Sequence, residues 1–411
     1  MKTFSALRDG FSPLKIRDFR VYMSGQLVSL VGTWMQLMAL SWVVWDLSHS
    51  MISLGIAGML ASLPILILGP VAGVTADKSD RRKLLLVTQA GSMMTSLVIA
   101  FLVYRGSVQI WHLYSLSVLL GIFTAFDLPA QQAFIGDLSG MSEVRKAVVV
   151  NAMIIQVSRL LGPALAGLII GSVGAATAFL LNGMSFLAVI ASLLAVKANQ
   201  VRKETAGVND FRDSIKFMKK EPRIQDLVLF TALVTIFAMS IMSVLPAIAT
   251  DVLGGNAGTL GFLMAASGAG ALLSTIAVIP MVQQVKRTGF AVGLSVIWTG
   301  AWFIAFSLSR SIAISMASLF LMSAGIPIVL TTSIGLVQTM SPPDMKARLL
   351  SMLIMVSFGL QPFAAFGVGL MGQIFGPAGA IRANGSALVI GASLMLLLRK
   401  GLISWEAPAP K

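Results

Sequence analysis

Two ionisable residues stand inside long apolar stretches, where a charge is costly and therefore marks a candidate site. Asp127 occurs in the phrase FDLPAQQAF and Arg159 in the phrase SRLLGPALAG. If the fourth apolar run ends near Ala130, Asp127 lies about one turn inside the membrane interface. An Asp127–Arg159 ion pair is then geometrically possible, and protonation of Asp127 would leave Arg159 uncompensated, which could couple proton movement to shape. The alternatives are a static pair and an Asp127 side chain solvated at the interface.

Polar residues recur at helical spacing along four of the apolar runs. A polar stripe on an apolar span faces protein or water and not lipid, so these residues are candidate lining residues of an internal cavity. The alternative is hydrogen bonding between helices without any ligand. The stripes comprise Gln26, Ser29, Thr33 and Gln36 in the first run, Tyr114, Ser117, Gly121 and Thr124 in the fourth, Thr231, Thr235 and Met242 in the seventh, and Ser323, Pro327 and Thr331 in the tenth.

A charged turn interrupts the apolar sequence between Gly69 and Lys83, read GPVAGVTADKSDRRK. Gly73 and Asp77 precede the basic pair Arg81 and Arg82. The charges lie abruptly between two uncharged runs, so the turn is expected at a membrane surface. Another distinctive phrase, Gly162-Pro163-Ala164-Leu165-Ala166-Gly167, combines close helix packing with a proline kink and predicts a hinge at Gly162, Pro163 and Gly167.

The composition indicates an integral membrane protein. Hydrophobic residues make up 56% of the 411 residues and charged residues only 11%, whereas soluble proteins carry about 25% charged residues. The net charge of +14 follows the ends of the apolar runs and does not indicate nucleic-acid binding. There is no cysteine and there are two histidines, and no HExxH, GxSxG or phosphate-loop motif occurs. We therefore expect neither an enzyme nor a metal site, and no cofactor.

Twelve uncharged stretches are long enough to cross a membrane, which predicts an all-α protein with twelve transmembrane helices. All but four of the 30 Lys and Arg residues fall on one side, the exceptions being Arg105, Arg159, Arg310 and Arg382. This asymmetry places both termini in the cytoplasm. The polar stretch near the middle divides the chain into a six-helix bundle at 1–196, a cytoplasmic linker at 197–224 and a second six-helix bundle at 225–411.

These motifs together resemble the major facilitator superfamily, in which two six-helix halves are related by a parallel repeat. The Gly73–Arg82 turn resembles the loop between helices 2 and 3 of that superfamily, with Asp80 where a second glycine is usual. The phrases LPILILGPVAGVTADKSDRRKLLL, FDLPAQQAF and SRLLGPALAGLI are similar to the branch that contains macrolide-efflux and enterobactin-export proteins. Gln131 stands where relatives often carry arginine.

The resemblance implies export of a small organic molecule from the cytoplasm in exchange for protons, with the proton gradient as energy source. It also implies that helices 1, 4, 7 and 10 border the substrate cavity, and that Asp77 meets the start of helix 11 near Lys346 to Leu349 as part of a conformational gate. The expected partners are a small-molecule substrate and the lipid bilayer of the cytoplasmic (inner) membrane, with the chain acting as a monomer. A transport-inactive membrane sensor and an uptake symporter remain alternatives.

Overall fold

The computed structural model describes residues 11–196, 218, 221–282, 285, 287–341 and 345–399, with the backbone alone at 141, 145 and 346–348. Within these ranges every regular element is helical and no strand occurs. The chain divides into two compact units. Unit 1 comprises Met1–Ser48 and Leu60–Thr205, and unit 2 comprises His49–Met59 and Ala206–Lys411. The predicted linker at 197–224 lies mostly outside the described residues.

The first half of the chain forms a short 3-10 helix, Ser12–Lys15, and then six long helices. They are α1 Arg17–Ser48, α2 Met51–Lys78, α3 Arg81–Tyr104, α4 Ile110–Gly140, α5 Ser142–Val173 and α6 Ala175–Ala195. Single glycines with positive φ separate α4 from α5 at Gly140 (φ 73°) and α5 from α6 at Gly174 (φ 91°). Glycine suits these joints because a side chain would be strained in this conformation.

Helix α4 is longer than the sequence predicted. We expected it to end near Ala130, but it continues to Gly140 in spite of Pro129 and Asp137. The Asp137 side chain is paired with Arg81, and this neutralisation allows a second acid, besides Asp127, to remain in α4. Asp127 therefore lies about 13 residues, or roughly 20 Å, before the end of α4 and not one turn from it.

The second half begins with an irregular helix, α7. Pro222–Leu233 is followed by a π-helical turn, Val234–Ala238, and a 3-10 turn, Met239–Ser243. A short α segment, Leu245–Ala247, and a second π-helical turn, Ile248–Val252, complete it. Sequence analysis predicted one continuous helix here. The long helices that follow are α8 Ala257–Val282, α9 Thr288–Leu308 and α10 Ile312–Met340.

The last apolar stretch contains two membrane spans. Leu349–Leu398 is 50 residues long, which corresponds to about 75 Å of helix, more than twice the thickness of a bilayer core. Gly376, with φ 74° and ψ 165°, bends the chain within it. Helix α11 therefore comprises Lys346–Gly359 and the residues up to 375, and α12 comprises 377–398. Of the described residues, eleven helices qualify as membrane spans, and division at Gly376 gives twelve. The predicted all-α membrane fold is confirmed.

An apolar cluster fixes the helices of unit 1 at the end that carries the Asp77–Lys83 turn. Tyr22 of α1 meets Phe134 of α4 edge to face, with ring centroids 5.1 Å apart. Such aromatic pairs contribute about 0.5–1.5 kcal/mol beyond the burial of their surface. The cluster also contains Phe19, Leu85, Ile135, Phe186 and Leu193. It holds α1, α3, α4 and α6 in register beside the candidate site.

Candidate functional site

Arg81, the first residue of α3, forms a buried ion pair that the sequence did not reveal. Its Nη1 atom donates to both carboxylate oxygens of Asp137 on α4, at 2.7 and 2.8 Å. The exposed fractions of the two side chains are 7% and 5%. Its Nε also donates to the Ala76 carbonyl at 3.4 Å, and Nη2 lies 3.9 Å from Asp77 Oδ1. Arg81 thus joins the end of α2 to α4, while Asp77 stays 43% exposed.

The other residues of the turn have separate structural tasks. Arg82 donates from Nε to the Leu193 carbonyl at 2.6 Å and from Nη2 to the Leu194 carbonyl at 2.8 Å, so it caps the end of α6. Asp80 caps α3 by accepting a hydrogen bond from the Lys83 amide at 3.1 Å. The replacement of the usual glycine by Asp80 therefore stabilises the start of α3. A Cβ added to Gly73 would meet no atom within 4 Å.

The predicted contact of Asp77 with the start of α11 stays a prediction. The side chains of Lys346, Ala347 and Arg348 are outside the described residues.

Asp127 of α4 is bound by two uncharged donors from α3. Its Oδ1 atom accepts hydrogen bonds from Thr88 Oγ1 at 2.7 Å and from Gln89 Nε2 at 2.8 Å. Among the described residues, Asp127 has no cationic partner. Sequence analysis found Asp127 but not Thr88 or Gln89, because hydroxyl and amide side chains on α3 carry no signal of which neighbour they face.

Arg159 lies on α5 over the indole ring of Trp34 in α1, with its guanidinium carbon 5.6 Å from the ring centroid. Its Nε atom is buried and has no hydrogen-bond partner among the described residues. The two charges predicted to pair are therefore not joined in this structure, since Asp127 bonds to α3 and Arg159 faces α1. The contact of Arg159 with α1 is possible because Gly162, one turn further along α5, has no side chain. A Cβ at Gly162 would lie 2.6 Å from Trp34 Cβ and 2.7 Å from the Val31 carbonyl.

The predicted hinge in α5 is a close-packed region. Gly162, Pro163 and Gly167 are all buried, and the absence of a side chain at Gly162 allows α1 and α5 to approach closely. Its role as a hinge stays a prediction.

The polar stripe of α1 is divided between two environments. Gln36 is buried, and its Oε1 atom accepts hydrogen bonds from Ser96 Oγ of α3 and Asn182 Nδ2 of α6, both at 2.6 Å. For Gln36 the structure therefore shows hydrogen bonding between helices, the alternative to a cavity-lining role. Thr33 donates to its own helix, at the Ser29 carbonyl, 3.0 Å away. Gln26 is buried, and its Oε1 atom has no hydrogen-bond partner among the described residues.

The stripes of α4, α7 and α10 differ in their accessibility. Ser117 and Thr124 donate to the carbonyls of Leu113 and Leu120, both at 2.7 Å, whereas Tyr114 is only partly buried. The hydroxyls of Thr231 and Thr235 in α7 are buried and make no hydrogen bond to any described residue. Thr331 of α10 is exposed.

The part of the chain that the structure describes contains no group of three or more His, Cys, Asp or Glu residues that could hold a metal ion.

The chain is similar in sequence to known membrane proteins over almost its whole length. Residues 8–409 match a family described as transmembrane secretion effectors. The chain is a member of the major facilitator superfamily. This facilitator is 26% identical over 392 residues to an MFS-type transporter of Bacillus subtilis, covering 92% of each chain.

Two further relatives carry functional names. The facilitator is 26% identical over 287 residues to the staphyloferrin A transporter of Staphylococcus aureus, covering 68% of this chain and 72% of the relative. It is 28% identical over 160 residues to macrolide efflux protein A of Streptococcus pyogenes, covering 38% of each. The predicted resemblance to the branch with macrolide-efflux proteins is confirmed.

A solved structure shows the same fold over nearly the whole chain. It is a bacterial homologue of the human lysosomal transporter Spinster in an inward-facing, unoccupied conformation, with a TM-score of 0.78 and 13% identity, covering 97% of this chain and 100% of that one. Because it belongs to the major facilitator superfamily, the facilitator is a multi-pass membrane transporter for small molecules and not an enzyme.

Proposed function

We propose that this facilitator exports small organic molecules across the cytoplasmic membrane in exchange for protons. The observation that carries the proposal is Asp127, a carboxylate within the membrane helix α4 that is held by two uncharged donors. Ionisable groups in membrane helices are costly and are typical of proton relays in pumps and transporters.

The side chain of Gln89 can form a hydrogen bond with Asp127 in either protonation state of the carboxyl group. In the structure Gln89 donates from its Nε2 atom, while its Oε1 atom is buried without a partner among the described residues. An amide carries both donors and an acceptor. Rotation of the Gln89 amide would therefore allow a protonated Asp127 to donate a hydrogen bond to Oε1. Since no cation among the described residues balances Asp127, protonation takes the site from a single negative charge to neutral.

The charged turn supplies a conformational element for alternating access. The Arg81–Asp137 pair connects the end of α2 to α4, the helix that also carries Asp127. Asp77, which is partly exposed and 3.9 Å from Arg81, is free to exchange this weak contact for another when the transporter changes state. We propose that Gly73, Asp77, Arg81 and Arg82 form the gate, and that Asp127 and Arg159 respond to protons and substrate.

The direction of transport rests on the relatives. The family is described as secretion effectors, and one relative is named an efflux protein. We propose that the substrate enters a cavity bordered by the polar stripes of α1, α4, α7 and α10. Gln36 is excepted, because its acceptor is fully used by Ser96 and Asn182.

The test is transport in proteoliposomes with an imposed pH gradient. The panel contains fluorescent dyes of positive, negative and zero net charge together with a macrolide. An antiporter accumulates its substrate when the lumen is acidic, whereas a symporter accumulates it when the outside is acidic, and this difference does not depend on the orientation of the protein. We expect accumulation with an acidic lumen that a protonophore abolishes. Movement only with an acidic exterior would establish a symporter, and no gradient-dependent movement by folded protein would favour the sensor.

A further inference from the structure

Arg159 is a cation in the middle of a membrane helix, and the described residues give it no counter-ion. It stands about 17 residues after the start of α5 and about 14 before its end, so neither membrane surface is within one or two helical turns. Long cationic side chains near helix ends reach the interface, but one at the centre has to find a partner inside the protein.

The described residues do not provide that partner. Arg159 makes no ion pair and no hydrogen bond there, and its Nε atom is inaccessible and unpartnered. The carboxylate that could have served, Asp127, is bound to Thr88 and Gln89. A guanidinium has five N–H donors in a planar fork. On Arg159 the Nε donor is inaccessible, and the four donors on Nη1 and Nη2 bond to no described residue. The residue is nevertheless only partly buried, so part of it is open to a ligand.

Trp34 holds the guanidinium in place while leaving its donors unused. The contact is made through the face of the indole ring at 5.6 Å, which stabilises a cation without consuming an N–H group. The position of the ring is fixed because Gly162 allows the backbone of α1 to lie directly against α5. The result is an oriented fork beside an aromatic surface, the geometry that suits an oxyanion attached to an apolar or aromatic body.

From this geometry we infer that Arg159 and Trp34 form the recognition subsite for an anionic group of the transported molecule. The substrate class is an organic anion that presents a carboxylate or a similar planar oxyanion to Arg159 and an apolar or aromatic portion to Trp34. The inference rests on the proposed function only in treating this ligand as the transported molecule. The binding of the anion can be measured without transport.

The first test asks whether Arg159 is structural. We compare thermal unfolding of the purified protein with R159M and with R105M, in which an exposed arginine after α3 is removed in the same way. Loss of an uncompensated cation relieves a desolvation penalty, so R159M is expected to melt at or above the wild-type temperature. R105M should melt at the wild-type temperature. A melting temperature of R159M several degrees below both would show that Arg159 is bonded structurally and would overturn the inference.

The second test uses pairs of probes that share a ring system and differ in charge. Fluorescein and dansylglycine are the anionic probes, and rhodamine 6G and dansylcadaverine are their cationic counterparts. We expect R159M to weaken binding of the anionic probes by about tenfold or more, the loss of one charge-assisted hydrogen-bonded contact. R159K, which keeps the charge without the fork, should be intermediate, and R105M should bind like the wild type. Equal anionic binding by wild type and R159M, or anionic binding by neither, would overturn the inference.

Anionic lipid is the other source of a suitable oxyanion. Dihexanoyl phosphatidylglycerol, a soluble form of such a lipid, is added as a competitor to fluorescein. We expect no competition at concentrations that leave the protein folded, and displacement of fluorescein from the wild type would assign Arg159 to a lipid headgroup instead. The outcomes for transport are separate. Gradient-driven movement of cationic dyes alone would retain the exporter and refute the anion subsite, whereas Arg159-dependent binding without transport would retain the subsite and refute the exporter.

Discussion

The two units place an asparagine at corresponding positions of their last helices, and the two residues have different partners. Asn182 of α6 donates to the Gln36 side chain at 2.6 Å, and so connects an intact α1 to its own helix. Asn384 of α12, about 200 residues later in the parallel repeat, donates to the Phe237 carbonyl at 3.2 Å and to Ser240 Oγ at 3.4 Å. These two partners lie in the π-helical and 3-10 turns of α7.

The difference shows that the repeat retains helix positions while the units acquire separate properties. Unit 1 has regular helices and carries the charged groups of the membrane interior, Asp127 and Arg159. In the described part of unit 2, the central residues of the helices are uncharged, and the backbone of α7 is irregular. π-Helical turns interrupt the regular hydrogen bonding and often occur at functional positions. We interpret unit 1 as the part that responds to charge and α7 of unit 2 as the part with a deformable helix.

The largest expected effect tests whether unit 1 alone carries proton coupling. Asp127→Asn removes the titratable group but preserves hydrogen bonding to Thr88, so we expect gradient-driven transport to fall to the level of protein-free liposomes while ligand binding persists. Asp251→Asn, which removes an exposed acid of unit 2, is the matched control and should transport like the wild type. A response of Asp127→Asn to the pH gradient equal to that of the wild type would remove Asp127 from the mechanism.

A second pair of variants compares the ion pairs of the units. Arg81→Ala leaves the buried Asp137 without its cation, and breaking such a pair costs about 3–5 kcal/mol. Arg399→Ala removes a partner that is 38% exposed from Asp226, which is itself only 6% exposed. Because water already screens this pair on the arginine side, we expect a smaller loss, about 1–3 kcal/mol. Thermal unfolding in detergent measures both. Equal losses would show that the buried ion pair of unit 1 contributes no more to stability than the partly exposed pair of unit 2.

The two asparagines provide a third comparison. Asn182→Ala removes a short side-chain hydrogen bond inside a fully buried network, and we expect a loss of about 1–3 kcal/mol. Asn384→Ala removes two longer contacts to an already irregular segment, for an expected loss of about 0.5–1.5 kcal/mol. Chemical denaturation of the single variants gives the two values, and hydrogen exchange at α7 should increase in Asn384→Ala only. Increased exchange in both would remove the distinction between the units.

The smallest effect is expected at the gate. Asp77→Asn alters a half-exposed carboxylate with a weak contact to Arg81, which corresponds to less than about 1 kcal/mol. We therefore expect transport to decrease several-fold through a shift of the conformational balance, with normal expression. Asp80→Asn is the control, because asparagine also serves as a helix cap and should leave transport unaltered. Unchanged transport in Asp77→Asn would exclude Asp77 from the gate.

Much of the fold followed from the sequence because an uncharged run of sufficient length has no stable place except the membrane. Asp127 and Arg159 were found for the same reason, as exceptions within such runs. Their partners could not be predicted, since an apolar run determines the length of a helix but not its rotation about its axis relative to its neighbours. Asp137 was missed because the fourth apolar run was expected to end near Ala130, before this residue. The turns of α7 depend on contacts with α12, which no local pattern in residues 222–252 indicates.

The joint at Gly140 has a mechanical consequence. Helices α4 and α5 are connected through Gly140 and Met141 alone, and consecutive Cα atoms are fixed at about 3.8 Å, so the connection has almost no slack. If the end of α4 is displaced, the start of α5 has to follow, because the chain between them is too short to absorb the movement. A displacement of the helix that carries Asp127 is therefore transmitted through this joint to the helix that carries Arg159, even though no hydrogen bond joins the two side chains.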